Sequence, residues 1–355
     1  MANKTLFLMH AQILQALSTV QEPDLHQDLV TLKMIENLEI EGTNVSFTLV
    51  LTTPACPLKD KMIADCKQAI AELYPDLKVD ITTTARVFSN LKNELLPAVK
   101  NIILVASGKG GVGKSTIAVN LALALAQLGA SVGLIDADIY GPSLPTMLGL
   151  KTARPKMHTE NDKNMMLPIE QYGIKAISIG FLIDENQPLV WRGPMASSAL
   201  RQLLTDVIWG ELDYLVIDTP PGTGDIHLSL ASMLKISGAV LVTTPQQVAI
   251  ADTRKGAAMF NMSQINIPIL GVVENMAYFM PENTEKKYYI FGKNGGEALA
   301  AELDVPLLAQ IPLTEYQTTQ ADQGTPAMLG NEPSLVRAFT AMAQAVAQQV
   351  ALKTR

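Results

Sequence analysis

Gly108-Lys109-Gly110-Gly111-Val112-Gly113-Lys114-Ser115-Thr116 fits the spacing G-x-x-x-x-G-K-[ST], which suits phosphate chemistry. The glycines let backbone N–H groups converge on phosphate oxygens, and a helix starting at the end of the loop adds partial positive charge. Lys114 is expected to reach the β- and γ-phosphates of a nucleoside triphosphate, with the Ser115 hydroxyl on Mg²⁺. Two acidic sites could complete the chemistry: Leu134-Ile135-Asp136-Ala137-Asp138 and Tyr214-Leu215-Val216-Ile217-Asp218 both turn from apolar to carboxylate. Asp218 is expected to hold Mg²⁺, directly or through water, as the acidic partner of Ser115. Asp138, also counted among the Mg²⁺ residues, is the better candidate to position an attacking water. Thr219-Pro220-Pro221-Gly222-Thr223-Gly224-Asp225 then reads as a switch-like loop.

These residues need strand ends and helix starts to hold them. The apolar run Ile102–Ala106 precedes the loop, and the Ala- and Leu-rich run Ile117–Leu128 follows it, ended by Gly129. Further candidate strands are Val132–Asp136, Ile174–Ile179, Tyr214–Asp218, Ala239–Thr243 and Ile269–Glu274, alternating with helical segments. That alternation predicts an α/β fold, a mostly parallel sheet flanked by helices, over residues 101–355. Carboxylates at the carboxyl ends of such strands lie where ligands of open α/β sheets bind. The polar stretch from Lys151 to Gln171 is expected as a surface hairpin or loop. In Ser334–Leu352, the residues Leu335, Phe339, Met342, Val346 and Val350 form one stripe, which predicts a helix packed on the sheet.

Residues 1–85 read as a separate small α+β unit, joined by a linker over 86–100. A helix is expected over Leu6–Leu17 and strands over Val30–Ile40, Val45–Leu51 and Leu77–Ile81. A second helix is expected from Leu58 to Leu73. Cys56 sits just before that helix, where the dipole lowers a thiol pKa and favours the reactive thiolate. Cys66 falls on the helix's apolar stripe and reads as a core cysteine.

Composition narrows the function classes. The 355 residues are 48% hydrophobic and 17% charged, as expected of globular domains. A formal net charge of −7 argues against a nucleic-acid surface. No apolar stretch approaches the length of a membrane span, and no signal peptide is legible, so a cytoplasmic protein without a membrane partner is expected. Two cysteines do not make a disulfide framework.

Lys109 is a second lysine, just after the first glycine. It is either a solvated side chain at a loop tip or a cation delivered across a dimer interface to the partner's phosphates. With this lysine, the loop resembles the deviant phosphate loop of the MinD, ParA and nitrogenase-iron-protein superfamily. Asp136-Ala137-Asp138-Ile139-Tyr140-Gly141-Pro142-Ser143, Trp191-Arg192-Gly193-Pro194-Met195, Asp218 to Asp225, Asp252-Thr253-Arg254-Lys255-Gly256 and Glu274-Asn275-Met276 are similar to the Mrp/ApbC group within it. The resemblance implies a homodimeric, Mg²⁺-dependent ATPase that carries iron–sulfur clusters to apoprotein clients. It also implies that Asn275 reads the adenine edge. Thr52-Thr53-Pro54-Ala55-Cys56-Pro57-Leu58 resembles the iron–sulfur-assembly domain often fused ahead of this ATPase, which makes Cys56 a candidate cluster ligand.

One departure stands out. The family normally carries a C-x-x-C pair after Glu-Asn-Met, with four thiolates from two subunits bridging a cluster. Here the stretch from Tyr278 to Gly292 contains no cysteine and no histidine. Two other readings therefore stay open: a regulatory ATPase without cluster binding, and a positioning ATPase in the manner of MinD or ParA.

Overall fold

The computed structural model describes residues 2–160, 163–183, 193–281 and 286–354. Trp191 and Arg192 of the quoted motifs, and residues 282–285, lie outside the described residues. The chain divides into two compact units, Met1–Phe88 and Ser89–Arg355.

In the first unit, strands Ile35–Glu41 and Asn44–Leu51 form an antiparallel pair, and Lys78–Ala85 runs parallel to the second of them. Val45, Phe47, Leu49 and Leu51 alternate into the core, where they meet Ile13 and Leu17 of helix Ala2–Leu17 and Met62, Cys66 and Ile70 of helix Lys59–Leu73. The strand expected from Val30 begins only at Ile35. The Asp28 carboxylate captures the N–H groups of Val30 and Thr31, and Lys33 turns left-handed at φ 55°, so this stretch is spent on turns. The last strand runs on to Ala85, because every residue from Lys78 has a partner in the neighbouring strand.

The second unit is built on an eight-stranded sheet. Its order is Ile169–Gln171, Ile174–Ser178, Val132–Asp136, Leu212–Asp218, Val99–Ala106, Gly238–Thr243, Ile269–Glu274, Leu307–Gln310. Seven strands are parallel and Ile169–Gln171 is antiparallel at one edge. The central strands are buried throughout their apolar runs, as parallel strands covered by helices must be. Helix Lys114–Gln127 and the C-terminal helix Pro333–Lys353 pack together. The second buries Leu335, Phe339, Met342, Val346 and Val350 at the expected spacing. Strands Lys156–Glu160 and Lys163–Leu167 form a hairpin within the polar stretch. The two edge strands Ile169–Gln171 and Leu307–Gln310, with three and four residues, are too short to show a period in sequence.

The sheet order assembles the site. Val99–Ala106 lies between Leu212–Asp218 and Gly238–Thr243, and the register sets Asp218 beside both Val105 and Asp136. Three strand ends therefore converge where helix Lys114–Gln127 begins. No described helix is long and apolar enough to cross a membrane.

Candidate nucleotide site

The glycine-rich loop joins Ala106 to Lys114, and its shape requires glycine. Gly111 and Gly113 have φ of 82° and 81°, a region L side chains rarely adopt. Both flanks of the loop are held from outside. A Cβ on Gly108 would lie 2.1 Å from the Asp252 carbonyl carbon, so the loop rests directly on the backbone of helix Gln247–Phe260. On the other flank, Asn275 Nδ2 donates to the Val112 carbonyl at 2.8 Å and fills the space a Cβ on Gly113 would take. The Gly222 N–H also donates to the Ser107 carbonyl at 2.8 Å, which ties in the loop that follows Asp218.

Inside the cradle the Lys114 side chain is buried, with its ammonium 2.6 Å from Asp218 Oδ1, 3.9 Å from Asp138 Oδ2 and 3.4 Å from Ser115 Oγ. Asp218 is wholly buried, and its Oδ2 has no hydrogen-bond partner. Burial pushes its carboxyl above the usual range, against the pull of Lys114. Burial raises Asp138 likewise, again opposed by Lys114. Asp136 is pushed up to about 7, first by burial and then by the Asp218 charge. It accepts from the N–H groups of Asp138, Ser143 and Leu144 and from the Ser178 hydroxyl. Asp136 thus pins the segment that carries Asp138, a task with no signal in the sequence.

Of the expected residues, Gly108, Gly110, Gly111, Val112, Gly113, Lys114, Ser115, Thr116, Asp138, Asp218 and Asn275 are brought to one place. Lys109 is at the loop tip with its side chain exposed and its carbonyl accepting from Ser107 Oγ. Asn275, expected at the adenine edge, also donates its amide nitrogen to the loop's own Val112 carbonyl. Asp218 Oδ2, Ser115 Oγ and Asp138 are oxygen donors of the kind Mg²⁺ takes, together with phosphate and water. Among the described residues no group of three or more His, Cys, Asp or Glu side chains could hold a metal ion unaided.

A correction concerns Cys56. It is a buried thiol, 8% exposed, and burial raises its pKa rather than the helix lowering it. Hydrogen bonds from the backbone at Leu58 and Lys59 act in the expected direction, but desolvation exceeds them, and the Glu22 and Asp24 charges add to it. Cys66 is wholly buried and pushed up to about 12. Where the family's C-x-x-C pair would fall, Phe279 and Tyr288 bond backbone to backbone, and Lys287 lies 4.0 Å from the Tyr278 ring. Aromatic rings and ammonium groups stand at the described positions of this segment.

Residues 98–350 match the family model described as the NUBPL iron-transfer P-loop NTPase, and residues 10–82 match that of an iron–sulfur cluster assembly protein. The chain belongs to the iron-transfer P-loop NTPase family. Within it, the chain is 47% identical to the iron–sulfur cluster carrier protein of Synechocystis, over 96% of this chain and 97% of that one. It is 41% identical to the protein of that name from Escherichia coli K12, over 97% and 92%. A nucleotide-binding protein of Archaeoglobus fulgidus, solved in complex with ADP, matches 69% of this chain and 94% of its own at 36% identity and a TM-score of 0.59.

Proposed function

We propose that the chain is an ATP-hydrolysing carrier that delivers iron–sulfur clusters to apoprotein clients. The observation that carries the ATPase half is the buried ammonium of Lys114, held in a glycine cradle against Asp218 and Asp138. The ADP complex of the Archaeoglobus relative supports it. On this reading the triphosphate enters the cradle and Lys114 moves from Asp218 to the β- and γ-phosphates. Ser115 and the released Asp218 would hold Mg²⁺, which would neutralise the developing charge. Asp138 orients the water for in-line attack, and Asn275 meets the adenine edge while bracing the loop. Lys109, exposed at the tip, serves the partner's phosphates in a homodimer, a role that in arginine form is worth roughly 10³–10⁵ in rate. Lys114→Ala is expected to abolish turnover, and hydrolysis that survives it undiminished would refute the assignment.

The carrier half rests on the family and on the assembly-type unit at residues 10–82. The chain's two cysteines are buried thiols of that unit, which suits a reducing compartment such as the cytoplasm. They do not amount to the four soft ligands of a bridging cluster, so the cargo is held weakly, with Cys56, the less deeply buried of the two, as the candidate ligand. Anaerobic reconstitution followed by iron and sulfide analysis tests this. A cluster bound as tightly by Cys56→Ala as by wild type would overturn Cys56 as the ligand.

A further inference from the structure

Asn275, which braces the phosphate loop at the Val112 carbonyl, stands between two residues in uncommon states. Before it, Glu274 ends strand Ile269–Glu274 with its side chain wholly buried. One carboxyl oxygen accepts from the Gly296 N–H at 2.7 Å, in the first turn of helix Gly295–Glu302. The other accepts from Gln310 Nε2 at 2.6 Å, on the edge strand Leu307–Gln310. A Cβ on Gly296 would lie 2.7 Å from Glu274 Cβ, so the helix start rests directly on this side chain. After Asn275, Met276 has φ 54°, in the left-handed region that methionine rarely enters.

Backbone strain of this kind persists only where the surroundings over-determine it, and it collects at functional sites. Here the chain is fastened on both sides of the turn. The Ile311 N–H donates to the Glu274 carbonyl at 2.9 Å, and the Ala277 N–H donates to the Ile311 carbonyl at 2.9 Å. The Asn275 N–H is given to the Thr243 carbonyl at 2.8 Å. What the turn achieves is placement: Asn275 Nδ2 reaches the Val112 carbonyl, and Met276 Cε comes within 3.8 Å of where a Cβ on Gly113 would stand. We propose that Glu274 and Met276 are positioning residues for nucleotide binding, which fix Asn275 against the phosphate loop before the nucleotide arrives. This rests on the ATPase reading above. Lys114, Ser115, Asp138 and Asp218, the groups placed at the reacting phosphates, belong to other parts of the chain. Loosening the turn should therefore raise KM for ATP and spare kcat.

Met276→Gly removes the side chain that restricts the turn and frees its backbone. Ordering one residue again on binding corresponds to roughly tenfold in affinity. The proposal expects KM for ATP to rise about tenfold, with kcat within about twofold of wild type. Mere loss of folded protein lowers the active fraction, which reads in kcat and not in KM. Asparagine tolerates the left-handed region, so Met276→Asn should keep KM near that of wild type. A rise as large as that of Met276→Gly would overturn the turn as the cause. On an Asn275→Ala background, Met276→Gly should add nothing to KM, because its effect passes through that side chain. A further rise there, or a wild-type KM in Met276→Gly itself, overturns the proposal. Gln310→Ala strips one hydrogen bond from the buried Glu274 carboxyl and should also raise KM without lowering kcat. An unchanged KM overturns the role of Glu274, and this variant carries the test should Met276→Gly fail to fold. Lys114→Ala is run alongside. Activity surviving there would bring down the ATPase reading itself, whereas an inert Lys114→Ala with a wild-type KM in Met276→Gly brings down only this inference.

Discussion

Lys114→Met replaces the ammonium by an apolar group of similar length, and the structure sets what should follow. Asp218 Oδ1 loses the partner at 2.6 Å, Oδ2 has none already, and the residue is wholly buried. Removing one member of a buried ion pair costs about 3–5 kcal/mol, because the other charge is left uncompensated. Protonation of Asp218 relieves that cost. Its pKa is raised even with Lys114 present, and without the ammonium it must rise further. A carboxyl with a raised folded-state pKa adds stability at low pH and loses it as pH climbs through that value. The deficit of Lys114→Met relative to wild type should therefore be smaller near pH 5 than near pH 8, where it should approach about 3–5 kcal/mol. Urea unfolding of the nucleotide-binding unit at the two pH values, without nucleotide, measures it. Adding Asp218→Asn should return a large part of the loss. A Lys114→Met variant within about 1 kcal/mol of wild type at the higher pH, or one hurt more at the lower, would refute the buried pair as described.

Mixing Lys109→Ala subunits with Asp138→Ala subunits should restore part of the hydrolysis that each homodimer lacks; mixed dimers no more active than the sum of their parents would show that Lys109 does not act in trans. Cys56→Ala should lose reconstituted iron and sulfide but keep ATP hydrolysis, since the thiol belongs to the other compact unit; equal loss of both would contradict that separation. Phe339→Ala, at a wholly buried position on the C-terminal helix, should cost about 3–5 kcal/mol in denaturant unfolding. A cost near zero would mean that the helix does not pack as described.

The phosphate loop and the two acidic strand ends were legible because glycine spacing and apolar runs are local signals, and the parallel sheet then sets them side by side. Cys56 shows the limit of local reasoning. Its place before a helix is visible in sequence, but the burial that reverses its pKa shift comes from packing within its unit. Asn275 shows another: an amide suits a base edge, yet only the fold reveals that it faces the Val112 carbonyl, 163 residues away in sequence. Asp136 was illegible as a positioning group, because the partners that define it, Ser143 and Ser178, are gathered by the tertiary fold. The early strand from Val30 failed because Asp28 offers its carboxylate to the following N–H groups, a competition that periodicity does not weigh.

The contact of Gly108 with the Asp252 backbone, and of Asn275 with Val112 and Gly113, has a thermodynamic consequence. Ordering one residue of mobile backbone costs about 1–2 kcal/mol, and a cradle that had to form around its ligand would spend that on every residue. Here both flanks are fixed before anything binds, so the binding energy of the phosphates is not consumed in shaping their receptor. It remains available to whatever else the nucleotide does in the site. The cradle is thus the stator of the site.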